Sequence, residues 1–359
     1  MSNAIHKPVL SKEAIDSLVT KPEGFYLDAT AGFGGHTKLI LERLSKEGRL
    51  IASDRDKDSI SYINSKISDP KLTVLKSSFK ELNQKIGALE VTESFDGIIA
   101  DLGVSSYQLD TSERGFSFMK DADLDMRMDQ GESVSAKDWI NSASKEEITK
   151  VIWELGEETY SRKIAESIFE QRKTKPINRT SQLAKLIQDV KRNNQKEKRH
   201  PATKTFQAIR MHINQELDQL RSLLDFCLER TKKGGRISII SFHSLEDRVV
   251  KRFFRDNSRI DPRLAKLPNI DADYKLKIIL KKIKASDEEI KNNKKITELS
   301  TSKKLFDYRK KNKLFRGLSF ETISGFGSNG AIIHYRVSKK TNKVLKNKHL
   351  YLFDSGTQY

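Results

Sequence analysis

The sequence predicts an α/β protein built on an open sheet of parallel strands, with a long helical insertion and a C-terminal segment of different character. Three observations carry that prediction. Short apolar runs bounded by Gly, Asp or Ser alternate with helical patterns through the first hundred residues. More than 130 residues, rich in helical periodicity, then separate the fourth such run from the fifth. A glycine-rich turn follows the first run and an aspartate closes the second and the fourth, as when an open sheet builds a site at the carboxyl ends of its strands.

The runs are residues 25–31 (FYLDATA), 49–54 (RLIASD), 72–76 (LTVLK), 95–101 (FDGIIAD) and 235–242 (GRISIISF). Their hydrophobicity is continuous rather than alternating, so all five are expected as buried parallel strands, with helices over residues 37–45 and 57–67 between the first three. Helical periodicity recurs in residues 145–152, 160–171, 180–190 and 205–221. That is too much chain for one crossover. The expected partition is a sheet domain of residues 1–103 and 212–293, with a helical domain of residues 104–211 inserted for substrate recognition. Residues 191–205 (KRNNQKEKRHPATKT) are polar, basic and broken by Pro201, so they read as an exposed loop whose lysines reach phosphate. A helix over 244–255 and a strand-like run over 274–280 (YKLKIIL) follow the fifth strand.

Composition narrows the class. Hydrophobic residues make up 36% and charged residues 32%, and no apolar run nears the roughly 20 residues that span a bilayer. The first residues carry no secretory signal and Cys227 is the sole cysteine, so an intrachain disulfide is excluded and a cytoplasmic location is expected. A net charge of +18 points to a phosphate-bearing partner. Half of that surplus falls in residues 297–359, which hold 13 Lys+Arg against 4 Asp+Glu.

The turn at residues 28–36 (DATAGFGGH) lets the backbone approach a ligand closely, and Asp54, 20 residues after Gly34, is placed to accept ribose hydroxyls. That pair suits a dinucleotide or S-adenosylmethionine. The dehydrogenase pattern G-x-G-x-x-G would need glycine at position 37, where this chain has Thr37, which disfavours a nicotinamide. Phe79 follows the third strand, where it flanks an adenine or joins the core. Asp101, in residues 101–106 (DLGVSS), ends the fourth strand and is the candidate catalytic group, against its plainer role as a turn former. Residues 113–118 (ERGFSF) and 124–129 (LDMRMD) mix aromatics, Arg and Met in a loop that suits a stacked base or a core. His243, beyond the fifth strand, is a further candidate against a structural histidine.

Several long blocks together resemble the MraW (RsmH) methyltransferase family: residues 28–36, 101–110 (DLGVSSYQLD), 113–119 (ERGFSFM), 124–129, 200–209 (HPATKTFQAI) and 234–248 (GGRISIISFHSLEDR). The resemblance runs from about residue 6 to 293. It implies a Rossmann-like class I methyltransferase sheet that uses S-adenosylmethionine to methylate N4 of a cytosine in the decoding centre of 16S ribosomal RNA. By position it implies cofactor contacts from Gly34, Gly35, His36, Asp54, Phe79, Asp101 and Gln108, and no metal. Its partner would be 16S rRNA or the small ribosomal subunit, with no membrane, and a homodimer stays open. An exocyclic amine is a poor nucleophile, so Asp101 and nearby carbonyls are expected to bind its N–H and orient the nitrogen. No covalent nucleophile is needed, which separates this chemistry from methylation at cytosine C5 by a thiol such as Cys227.

The family pattern lapses near Lys294. Residues 297–359 instead resemble part of the Xaa-Pro aminopeptidases of the pita-bread fold, through residues 319–324 (SFETIS), 329–335 (NGAIIHY) and 350–356 (LYLFDSG). The resemblance implies a substrate-contacting role for His334 and makes Asp354 the first of five dimetal ligands. One carboxylate holds no metal pair, so this tail is expected to be a foreign fragment without peptidase activity. Its runs 331–337 and 349–353 are expected to pair as a hairpin. The alternative reading of the whole is a fusion product, impaired because its last sheet strand is replaced.

Overall fold

Helix α1 (Ser11–Leu18) leads into β1 (Phe25–Asp28), α2 (Gly35–Leu41), β2 (Arg49–Asp54), α3 (Lys57–Lys66) and β3 (Leu72–Lys76). A 3-10 turn at Phe79–Glu81 and α4 (Leu82–Gly87) precede β4 (Phe95–Asp101). The computed structural model describes residues 11–132, 134–191, 200–258 and 276, with the backbone of 317–318, 323–326, 351–354 and 357–358. The chain forms two compact units, Met1–Ser238 and Ile239–Tyr359.

In the first unit the sheet runs in the order β3-β2-β1-β4-β5, where β5 is Thr231–Ile240. β1 pairs in parallel with both β2 and β4, and β2 with β3. The chain thus steps outward from β1 and then returns to its other side, so the strand order reverses between β1 and β4, and the carboxyl ends at such a reversal are where open α/β sheets bind ligands. The fold is the expected α/β sheet, with one correction to its burial. β1 and β4 are buried along nearly their whole length and β2 through its middle, but β3 and β5 are half-exposed. Among the described residues they are the outer strands of this sheet, each with a neighbour on one side only.

Beyond β4 come α5 (Ser106–Asp110), α6 (Ala136–Ser142), α7 (Lys145–Gly156), α8 (Ser161–Thr174), α9 (Thr180–Val190), α10 (Thr203–Ile213) and α11 (Glu216–Arg230). Ser135 caps α6 and Ser144 caps α7, each accepting a backbone N–H three residues on. Their apolar faces build one core around Ile140, Ile152, Ile168, Leu183 and Ile209, closed by Phe116, Leu124, Met126 and Met128 from the preceding loop. Those loop residues are therefore packing, while Met119 is 81% exposed. The single helix expected over residues 205–221 is two helices. Gln215 adopts φ 49°, and the buried Asn214 side chain accepts from Met128 N–H while donating to the carbonyls of Met126 and Arg210. That side chain rewards a break which the continuous apolar spacing conceals.

The second unit contains α12 (Ser244–Ser258), β6 (Gly317–Leu318), β7 (Ile323–Phe326), β8 (Tyr351–Asp354) and β9 (Thr357–Gln358). β7 pairs antiparallel with β8, and β6 with β9. Of the expected hairpin, residues 351–354 form β8, which pairs with 323–326, while 331–337 lie outside the described residues. The run 274–280 also lies outside them, apart from Leu276, whose N–H donates to the Asn257 carbonyl. Among the described residues no helix is long and apolar enough to cross a membrane.

Candidate active site

The turn after β1 is organised by its first residue. Asp28 is fully buried and accepts the Thr30 N–H at 3.2 Å and the Thr37 hydroxyl at 2.7 Å, tying the turn to α2. Burial raises the Asp28 carboxyl above its ordinary range, although His36 and these hydrogen bonds oppose the shift. The threonine that displaces the third glycine of a dinucleotide pattern thus has work of its own. Gly34 has φ 79°, a left-handed backbone in which other residues are strained, and a Cβ there would also press on the end of the Ile67 side chain, 2.6 Å from Cδ1.

Asp54 closes β2 beside this turn. Its Oδ2 accepts the Gly32 N–H and its Oδ1 the Asp56 N–H, both at 2.8 Å. Burial pushes its carboxyl up to about 6; the two backbone hydrogen bonds oppose this and the like charges of Asp56 and Asp28 add to it. Each oxygen keeps a lone pair for a further donor. Two adjacent hydroxyls of a ribose would meet that need. The Ser77 N–H donates to the Asp54 carbonyl, and two residues later half-buried Phe79 opens the 3-10 turn.

Asp101 closes β4 on the other side of β1. Its N–H donates to Thr30 Oγ1 at 2.6 Å, joining the two loops at the point where the strand order reverses. Its Oδ2 lies 3.8 Å from Nδ1 of His36, the second residue of α2. His36 is buried, and its Nε2 has no hydrogen-bond partner among the described residues. An orphaned ring nitrogen beside a glycine turn and a desolvated carboxylate is what a bound polar ligand would complete.

Of the predicted site residues, Gly34, Gly35, His36, Asp54 and Asp101 come to one sheet edge, with Phe79 flanking. Gln108 is joined to it through Asp56. In α5 its amide oxygen accepts the Ser105 N–H, and its Nε2 donates to Asp56 Oδ2 at 2.6 Å. Sequence reasoning missed Asp28, Thr30, Asp56 and Arg114; an aspartate two residues after a strand, opening a helix, is the one visible signal, and Asp56 does cap α3. Cys227 is wholly buried in α11, and burial pushes its thiol up, away from the thiolate a nucleophile requires. In the second unit, buried His243 lies 3.1 Å from Glu246, three residues on. The basic loop needs a correction at its start. Lys191 is buried against Glu158 at 2.8 Å and does not face solvent, while 192–199 lie outside the described residues.

The profile described as the MraW methylase family matches residues 3–311, and that of metallopeptidase family M24 matches residues 275–359. The first extends past the lapse expected near residue 294, so the two overlap and no sharp junction separates them. Ribosomal RNA small subunit methyltransferase H of Alteromonas mediterranea is 48% identical over 292 residues, covering 80% of this chain and 93% of that protein. The proteins of the same name from Pseudoalteromonas atlantica and Thiobacillus denitrificans are 46% and 45% identical, again over 80% of this chain and 94% and 93% of theirs.

Proposed function

The chain belongs to the MraW methylase family, and from that premise we propose that it transfers a methyl group from S-adenosylmethionine to the N4 amine of a cytosine in the decoding centre of 16S ribosomal RNA. The observation that carries this reading is the meeting of the glycine turn, Asp54 and Asp101 where the strand order reverses, beside the orphaned Nε2 of His36. Gly34, Gly35 and His36 hold the cofactor's amino-acid end, Asp54 its ribose hydroxyls and Phe79 its adenine, with Gln108 lending support through Asp56. When bound, S-adenosylmethionine supplies an electrophilic methyl on a positively charged sulfur.

The chain's own residues do the rest. The lone pair of an exocyclic cytosine amine is delocalised into the ring, so the amine attacks only when it is turned and partly pyramidal. Asp101 accepts one of its N–H bonds and aims the nitrogen, work of positioning and electrostatics that needs no covalent intermediate. The helical region from α6 to α10 and the basic residues Lys196, Lys198 and Arg199 receive the RNA and its phosphates.

The test is nucleoside mass spectrometry of 16S rRNA from a strain lacking its own enzyme of this family and complemented with this chain. N4-methylcytidine is expected to return. Its absence, with the protein folded and expressed, would overturn the proposal, and a methyl group on C5 would overturn the N4 assignment alone.

A further inference from the structure

Arg114 precedes the loop that supplies Phe116, Leu124, Met126 and Met128 to the helical core, and only 3% of it is exposed. Its Nη1 lies 2.8 Å from Asp56 Oδ2 and donates to Asp58 Oδ2 at 3.1 Å. Its Nη2 donates to the carbonyls of Arg127 and Met128 at 3.0 and 2.9 Å. One guanidinium thereby fastens both ends of the loop to the start of α3. The next residue fixes its entry: Gly115 has φ +70°, and a Cβ there would lie 2.4 Å from the Asp123 carbonyl oxygen and 2.6 Å from the Asp125 nitrogen. Glycine alone fits the turn that delivers Arg114.

The anchor is one residue removed from the carboxylate assigned to the ribose. The Asp56 N–H is one of the two donors to Asp54, and the Asp56 carboxylate receives Arg114 together with the Gln108 amide. Like charges act on Asp54 from Asp28 at the end of β1 and from Asp56, the N-cap of α3. The cations close by in sequence or register are engaged elsewhere: Arg55 pairs with Glu132, and Lys76, the register partner of Asp54 on β3, pairs with Asp129 at 2.8 Å. Arg114 is the buried cation that meets this acidic group, and it comes from the loop between β4 and the helical core.

We infer that Arg114 is a positioning residue for the cofactor: by clamping Asp56 it aligns the Asp56 N–H on Asp54 and offsets the negative charge beside that carboxylate. The inference rests on the reading of this site as the S-adenosylmethionine site and deepens it. Loss of the guanidinium leaves the Asp56 charge uncompensated next to Asp54. Ionised Asp54 then becomes harder to form, and its lone pairs turn away from the ribose.

The test is calorimetric titration of the full chain with S-adenosylhomocysteine from about pH 5.5 to 8.5, a window that brackets Asp54 ionisation, alongside the pH dependence of unfolding without ligand. Arg114→Met is expected to weaken binding about tenfold at neutral pH and to raise the pH below which affinity falls. Adding Asp56→Asn, which keeps an acceptor for the α3 cap but removes the charge, should return that pH toward the parental value without restoring thermal stability. Arg114→Lys, a point charge without the planar fork, should keep the parental pH dependence and lose part of the affinity. A folded Arg114→Met with parental affinity and pH dependence would make Arg114 a brace for residues 127–128 and overturn the inference alone. If Arg114→Met does not fold, unchanged affinity in Arg114→Lys overturns it in the same way. A parental chain that binds no S-adenosylhomocysteine overturns the cofactor reading and the inference with it.

Discussion

Asp54 and Asp96 lie at opposite ends of one parallel sheet, and their surroundings are built on opposite plans. At the amino end of β4, burial would raise Asp96, but the Lys232 ammonium, the Phe25 N–H and the Lys21 ammonium more than offset it and hold its carboxyl at about 2. At the carboxyl end of β2, Asp54 has two N–H donors and, among the described residues, no ion-pair partner, and stands at about 6. Cations are supplied where a carboxylate only has to hold strands and helices together. On the proposed reading Asp54 receives a ligand, and the ligand's own donors would supply the stabilisation that cations give Asp96.

Replacement of the two residues should separate the roles most sharply. Asp54→Ala should weaken S-adenosylmethionine binding about a hundredfold or more, since two charge-assisted hydrogen bonds are worth roughly 1.5–3 kcal/mol each. The unfolding free energy of the ligand-free chain should change little, because removing a desolvated carboxylate offsets the loss of its hydrogen bonds from the Gly32 and Asp56 N–H groups. Asp96→Ala should do the reverse, leaving affinity intact and costing about 2 kcal/mol of stability. Calorimetry and urea unfolding of both variants decide this; if both lose affinity and stability together, the contrast is gone.

Asp101 shares β4 with Asp96, so the comparison can be made along a single strand. Asp101→Ala should lower single-turnover methyl transfer by about tenfold to a hundredfold with little change in melting temperature. A parental rate would reduce Asp101 to a turn residue.

The two carboxylates should also divide the pH dependence of ligand-free stability. The folded value of Asp54 lies above its ordinary 3.8, so its cost is complete above about pH 6 and is relieved as pH falls from there toward 3.8, a gain of about 2 kcal/mol. The folded value of Asp96 lies below 3.8, so its contribution is present above that pH and is lost as pH falls through about 2. Urea unfolding at stepped pH should lose the upper limb in Asp54→Asn and the lower limb in Asp96→Asn. The smallest effect belongs to Lys232→Met: this ammonium is 41% exposed, so its pairing with Asp96 should contribute only about 0.5–1 kcal/mol, read as a shift in urea midpoint at unchanged ligand affinity.

The inner strands were legible because burial on both faces leaves an unbroken apolar run, as in residues 95–101. The outer strands share that signature in sequence, and nothing in residues 72–76 announces that β3 is half-exposed at the edge of the described sheet. The residues of the glycine turn and the strand-end carboxylates were readable because their spacing follows from local geometry. Arg114 was not, because its partners Asp56, Asp58, Arg127 and Met128 are brought to it by tertiary packing, and an arginine in a Gly- and Phe-rich loop resembles one meant for phosphate. Gln108 and His36 entered through family resemblance. The break at Gln215 depended on a side-chain hydrogen bond from a neighbour 88 residues away from Met126.

Cys227 gives the protein a built-in stopwatch. The only thiol in the chain sits in α11 with no exposed surface and its deprotonation suppressed by burial. An alkylating reagent can reach it only in molecules whose first unit has opened, because modification needs both access and the thiolate. Labelling kinetics under native conditions therefore report how often that unit opens, with no engineered probe. At reagent concentrations high enough to outrun reclosing, the same trace gives the opening rate itself.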